Sequence, residues 1–294
     1  MAGLIATFAG ESTKVPVALL IRNIRTLVLA HPGSLSPLRG DAMDRIPVVD
    51  GAYLLVRHGK FEAFGQEAPE ALAELRSRYT IGEEIDAQGG LVLPSWCDAH
   101  THTVFAGSRE QEFVDRMQGL SYQQIAERGG GILNSARRLR DASEDELFHA
   151  ARERVLDAIR MGTGAIEIKS GYGLDEASEL KMLRVIRRLR DHFPIPVRST
   201  FLGAHAVPAE FQGDRSAYLK FLTDTLFPKV ADEGLADFCD IFCEQGYFTA
   251  DETFQYLSKA RAFGMRPKVH AEQLTRSGGI LAGIKVGDIS VDHL

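Results

Sequence analysis

The sequence predicts an α/β protein: a (β/α)8-type barrel, incomplete here with about six βα units, preceded by a small N-terminal β-sandwich domain. Three observations predict it. From residue 91 onward, apolar β-rich runs alternate with amphipathic stretches; His, Tyr, Lys and Glu recur just past the strand ends; and no GxGxxG follows the first strand. Near-continuous apolar strands separated by helices require a parallel sheet covered by helices. Chemistry gathered at the C-terminal ends of all the strands suits a barrel better than an open doubly wound sheet.

Taken in order, residues 16–92 read as short strands and turns, with HGK at 58–60 between two β-rich runs as hairpin chemistry. Residues 1–90 are therefore expected to form the N-terminal part of a composite β-sandwich, and 91–294 the barrel. The strand candidates are 91–98, 163–169, 196–203, 236–243, 266–270 and 288–292, with helices around 143–161, 176–192, 215–233, 250–263 and 276–285. Capping boxes open two of the helices, Ser143 with Glu146 and Thr249 with Glu252. A closed barrel has eight units, so the remaining strands are expected beyond Leu294.

Composition narrows the partners. With 45% hydrophobic residues, 25% charged residues and a formal net charge of −6, the chain gives no overall reason to expect nucleic acid or an anionic membrane surface. A small-molecule substrate is expected, with a homodimer as a possible assembly. The two RRLR runs, Arg137 to Arg140 and Arg187 to Arg190, accompany acid-rich amphipathic helices and read as solvated faces. Cys97, Cys239 and Cys243 sit in apolar stretches without ligand spacing, which reads as core filler in a reducing cytoplasm. No basic segment leads into a long apolar run, so a cytoplasmic location is expected. Gly129, Gly130 and Gly131 precede a helix without a following GK[ST] and suit a lid hinge better than a phosphate loop.

The chemistry centres on histidines. His100 and His102 lie in DAHTH after the first barrel strand, and residues i and i+2 of an extended segment project to one side, so both imidazoles can reach one ion. His205, His270 and His293 end the third, fifth and sixth strands. Nitrogen ligands without thiolate suit zinc or iron(II). Arg109, in the loop after the first strand, carries a fork suited to gripping a carboxylate. Tyr172 offers a phenol after the second strand, flanked by Gly171 and Gly173. Lys169 suits either a carbamylated metal ligand or, more commonly, a barrel-interior or anchoring residue.

In their order, the strings THTVFAGSRE, GGGI, EIKSGYGL, TFLGAHAVP, KVHAEQL and SVDHL resemble the imidazolonepropionases of the amidohydrolase superfamily. The resemblance implies hydrolysis of 4-imidazolone-5-propanoate to N-formimidoyl-L-glutamate in histidine degradation, with one divalent metal per subunit, zinc or iron. It makes His100, His102 and His270 metal ligands, and Arg109, Tyr172, His205 and Gln273 substrate contacts. His205 and His293 are the expected stabilisers of the oxyanion formed when hydroxide attacks the ring carbonyl. Many amidohydrolases have Glu where Gln273 stands, which puts a proton-shuttling role there in doubt, and Glu272 should point the other way. The family's ligand Asp after the eighth strand would lie beyond Leu294. Two alternatives stay open: a deaminase of the same superfamily, and a non-catalytic metal- or ligand-binding fragment.

Overall fold

The computed structural model describes residues 17–29, 38–108, 110–120, 124 and 132–293, and they form two compact units dividing between Ser95 and Trp96. In the first unit, β1 (Ala18–Val28), β2 (Val48–Arg57) and β3 (Lys60–Gln66) form an antiparallel meander. The strands β4 (Ile81–Asp86) and β5 (Leu91–Val92) add to β1 in parallel. The hairpin between β2 and β3 turns on His58 and Gly59, with φ of 53° and 69°. Positive φ at both central residues matches the right-handed twist of the flanking strands.

The N-terminal region is not all strand and turn. Residues Pro69–Arg78 form a helix, with Pro69 in its first turn where the missing N–H costs nothing. Leu75 joins that helix to Ala18, Leu20 and Leu55 in a small core. The expected strand 91–98 is two strands. Leu91–Val92 pairs with β1, and the first barrel strand, β6 (Trp96–Thr101), lies beyond Pro94, which cannot donate to a ladder.

The second unit is a parallel sheet of β6 (Trp96–Thr101), β7 (Thr163–Lys169), β8 (Val197–Ala204), β9 (Phe238–Cys243), β10 (Arg266–Pro267) with β11 (Val269–Ala271), and β12 (Val291–Asp292). Counting β10 and β11 as one interrupted strand gives a nearly closed barrel of six strands, as the six βα units predict. The strands follow one another in sequence order without the reversal that defines an open doubly wound sheet. Strands β7, β8 and β9 are buried along most of their length, as a sheet covered by helices demands. The core joins Ile168, Leu183, Phe201, Phe227, Ile241 and Leu257 from strands and flanking helices.

Both capping boxes form, opening helices Glu144–Arg160 and Ala250–Ala262. The helix expected over 215–233 is interrupted: Arg215–Phe221 and Phe227–Asp232 flank a π-helical segment Leu222–Leu226, where Pro228 lacks the N–H needed to continue regular bonding. Helix Glu110–Met117 is additional to those expected, helix Ile132–Asp141 is the one expected after the three glycines, and Gly129 to Gly131 themselves lie outside the described residues. Cys239 and Cys243 are buried, but Cys97 is exposed on β6 and does not fill the core. The arginine runs are ion-paired at the surface, Arg140 with Asp175 and Glu210, and Arg188 with Glu144 and Asp145. Among the described residues, no helix is long and apolar enough to cross a membrane.

Candidate metal centre

His100 lies at the end of β6 and His102 just beyond it. Between them Thr101 turns away, its Oγ1 donating to the Glu167 carbonyl at 2.6 Å, as strand alternation requires. His270 arrives on β11 from 168 residues further along the chain, and one ring nitrogen of each of the three histidines lies within 4.8 Å of the others. Ring centroids are 5.3 Å apart for His100 and His102, 4.5 Å for His100 and His270, and 5.8 Å for His102 and His270.

Two of the ring nitrogens, Nδ1 of His102 and Nε2 of His270, are buried without a hydrogen-bond partner. A buried polar atom left so costs about 1–3 kcal/mol, and a cation supplies what these lack. Burial, reinforced by the charges of His205, His270 and His100, holds the His102 imidazole well below the usual histidine range. The neutral ring is the form that ligates a metal. The residues therefore fit a divalent ion.

A second arm of the cluster lies beside the first. The His205 ring stacks on His102 at 5.2 Å with 16° between planes, and Tyr172 lies 5.2 Å from His102 and 5.5 Å from His205. His205 Nδ1 is 3.1 Å from the Gly171 carbonyl, so it carries a proton and donates there. Gly171 has φ of +103°, and a Cβ there would sit 2.8 Å from the Leu202 carbonyl oxygen, so the loop that presents Tyr172 needs glycine at this place. His293 closes the other side, 4.6 Å from His100 and 4.9 Å from His270. Of the candidates, Gln273 is exposed beyond β11, and among the described residues no hydrogen bond joins it to the histidines. Arg109 lies outside the described residues.

Several residues that shape the site are not signalled by motif or spacing. Glu179, fully buried on helix Glu176–His192, accepts the backbone N–H groups of Gly171, Gly173 and Leu174 and so folds the Tyr172 loop. Burial pushes its carboxyl above the usual carboxylate range, against those hydrogen bonds. Glu244 does the same for the segment after β11, accepting from Leu274 at 2.8 Å and from Thr275. Leu174, Glu272 and His293, the non-glycine residues with positive φ described in this unit, all follow barrel strands, which puts the strained backbone at the rim.

Beneath the histidines lies a buried charged layer. Lys169 Nζ is 2.7 Å from Glu167, 2.8 Å from Asp240 and 3.1 Å from Asp292, and Lys268 Nζ bonds Glu167 and the Ala99 carbonyl. Although burial opposes its charge, the carboxylates of Asp240, Glu167 and Asp292 hold the Lys169 ammonium above the usual lysine range. Lys169 is thus a barrel-interior residue whose ammonium nitrogen lies in ion pairs with three carboxylates. Asp240, His270 and Asp292 also bring donor atoms together, but this ammonium already supplies the positive charge between the two carboxylates.

A search against protein-family models matches none. Known proteins of similar sequence do match. The chain is 46% identical over 278 residues to the imidazolonepropionase of Christiangramia forsetii, covering 95% of this chain and 66% of that protein. It is 44% identical to that of Flavobacterium johnsoniae, over 94% of this chain and 66% of the relative, and 39% identical to that of Geobacillus thermodenitrificans, over 94% and 65%. The chain therefore spans about two thirds of the length of the relatives it matches. Among solved structures, a 5-methylcytosine deaminase from Klebsiella pneumoniae superposes with a TM-score of 0.59 at 14% identity, covering 91% of this chain and 56% of its own. The ochratoxinase of A. niger gives 0.56 at 15%, over 95% and 60%. At such identities the structural likeness speaks for the barrel alone. With the sequence identity spread over almost all of its residues, the chain belongs to the imidazolonepropionase family.

Proposed function

We propose that the protein hydrolyses 4-imidazolone-5-propanoate to N-formimidoyl-L-glutamate, a step of histidine degradation. The observation that carries the chemistry is the convergence of His100, His102 and His270, with His102 Nδ1 and His270 Nε2 buried and unpartnered. The substrate rests on the identity to imidazolonepropionases.

In this reading the three histidines hold one divalent ion per subunit, zinc or iron(II), in a setting of nitrogen donors without thiolate. Bound there, the ion would acidify water and polarise the substrate carbonyl. The remaining steps belong to side chains. Water adds to the ring carbonyl carbon, the bond from that carbon to the ring nitrogen breaks, the carbon becomes a carboxylate, and of the two protons water brings one goes to the released nitrogen and the other to solvent. His205 and His293 flank the histidine cluster from two sides and donate to the carbonyl oxygen as charge builds on it, His205 as the doubly protonated imidazolium because its Nδ1 proton is committed to the Gly171 carbonyl. Tyr172 and Gln273 bind the substrate, and Arg109 grips its propionate, converting binding energy into orientation. We read the protein as cytoplasmic, acting on a small molecule, and the N-terminal sheet as part of a β-sandwich.

The test is loss of imidazolonepropionate absorbance on adding the protein, with and without chelator. Turnover that a chelator stops and added zinc or iron(II) restores is expected; no turnover with either metal would refute the proposal. Arg109→Ala is expected to raise KM, and an unchanged KM would remove Arg109 from the site.

A further inference from the structure

Asp240 lies on β9, next to β11, and is wholly buried. Its Oδ1 accepts the backbone N–H of Ile241 at 2.7 Å and of His270 at 3.0 Å. Its Oδ2 lies 2.7 Å from His270 Nδ1 and 2.8 Å from Lys169 Nζ. A carboxylate paired with an ammonium can only accept, so Nδ1 of His270 must carry a proton, and the ring can meet a metal only in its Nδ1-protonated tautomer. The lone pair then sits on Nε2, the buried atom that no group in the protein meets.

We propose that Asp240 is a positioning residue: it fixes the His270 ring in the Nδ1-protonated tautomer and aims Nε2 at the divalent ion, with Lys169 as its buried counter-charge. The proposal rests on the metal reading above. Asp240 grips both the backbone and the ring of His270, so the ring has neither rotational nor tautomeric freedom to lose when an ion arrives. Removing such a partner of a ligand histidine commonly weakens metal binding about 10- to 100-fold. The other polar groups facing the carboxylate are the Lys169 ammonium and the backbone amides of Ile241 and His270, which would hold a structural aspartate just as well; the bond to Nδ1 is the one that bears on the metal.

The test compares zinc affinity, by competition with a chromophoric chelator, in the parent protein and in Asp240→Asn. Asparagine can keep its oxygen on the two backbone amides and turn its NH2 towards Nδ1, which favours the Nε2-protonated ring that cannot ligate. Zinc binding weakened about 10- to 100-fold, with a cooperative melting transition retained, is expected. Affinity within twofold of the parent would overturn the role of Asp240 while leaving the metal reading intact; a parent that binds no zinc would overturn both. A second measurement needs no substitution. In histidine-15N-labelled, metal-free parent protein, the His270 nitrogen shifts should report protonated Nδ1 and bare Nε2, and the opposite tautomer would overturn the proposal even where Asp240→Asn fails to fold.

Discussion

The histidine rim and the buried charged layer next to it are built on opposite rules. At the rim, imidazole rings crowd within 6 Å of one another, and His102 Nδ1 and His270 Nε2 are left without partners. In the layer beneath, Lys169 and Lys268 meet Glu167, Asp240 and Asp292 in direct ion pairs. The difference teaches where reactivity can be stored. An atom that is to bind something else must be left unsatisfied, and that is tolerable only above a layer that satisfies everything and does not move.

The largest effect that would break this contrast is at the rim. His102→Ala removes a donor with an unpartnered nitrogen and should abolish both metal retention and turnover, with melting temperature little changed, because one of the atoms it deletes was unsatisfied. Metal analysis and a thermal melt check it together. In the layer the pattern should reverse. Lys169→Met leaves Asp240 and Glu167 buried without their ammonium and should cost about 3–5 kcal/mol of stability, read by urea denaturation. Comparable losses of stability from both variants would erase the distinction.

A smaller effect separates the two arms of the rim. His205 stacks on His102 but bonds the Gly171 carbonyl through Nδ1, so His205→Ala should keep the metal and slow turnover about 10²- to 10³-fold. Loss of the metal with His205 would make it a ligand and not an oxyanion donor. The smallest effect lies away from the site: Thr249→Ala deletes a capping-box hydroxyl and should lower stability by about 1 kcal/mol, with turnover unchanged.

These contrasts also mark what the sequence could reveal. The rim was legible because its signal is local: HxH on an extended segment puts two rings on one side whatever lies around it, and β7 appears at the expected Thr163–Lys169. Capping boxes are equally local. The layer was not legible, since Asp240 sits within the apolar run FCDIFC and its partner Lys169 is 71 residues away. Nothing in the period of β9 separates a carboxylate facing an ammonium from a residue at a strand end. Glu179 is hidden in the same way, one acid among several on an amphipathic helix, until folding places three backbone N–H groups around it. A boundary failed where proline acts on pairing, since Pro94 separates β5 from β6; the stretch expected as helix around 215–233 stays helical over Arg215–Asp232 and only changes to π bonding over Leu222–Leu226, ahead of Pro228.

X-ray absorption at the metal edge of the purified protein examines the convergence of the three imidazoles without perturbing them. A stoichiometric divalent ion with about three imidazole nitrogens at ~2.0–2.1 Å and no sulfur would bear out His100, His102 and His270 as its ligands. A sulfur shell, a first shell of oxygen alone, or no stoichiometric ion would contradict it.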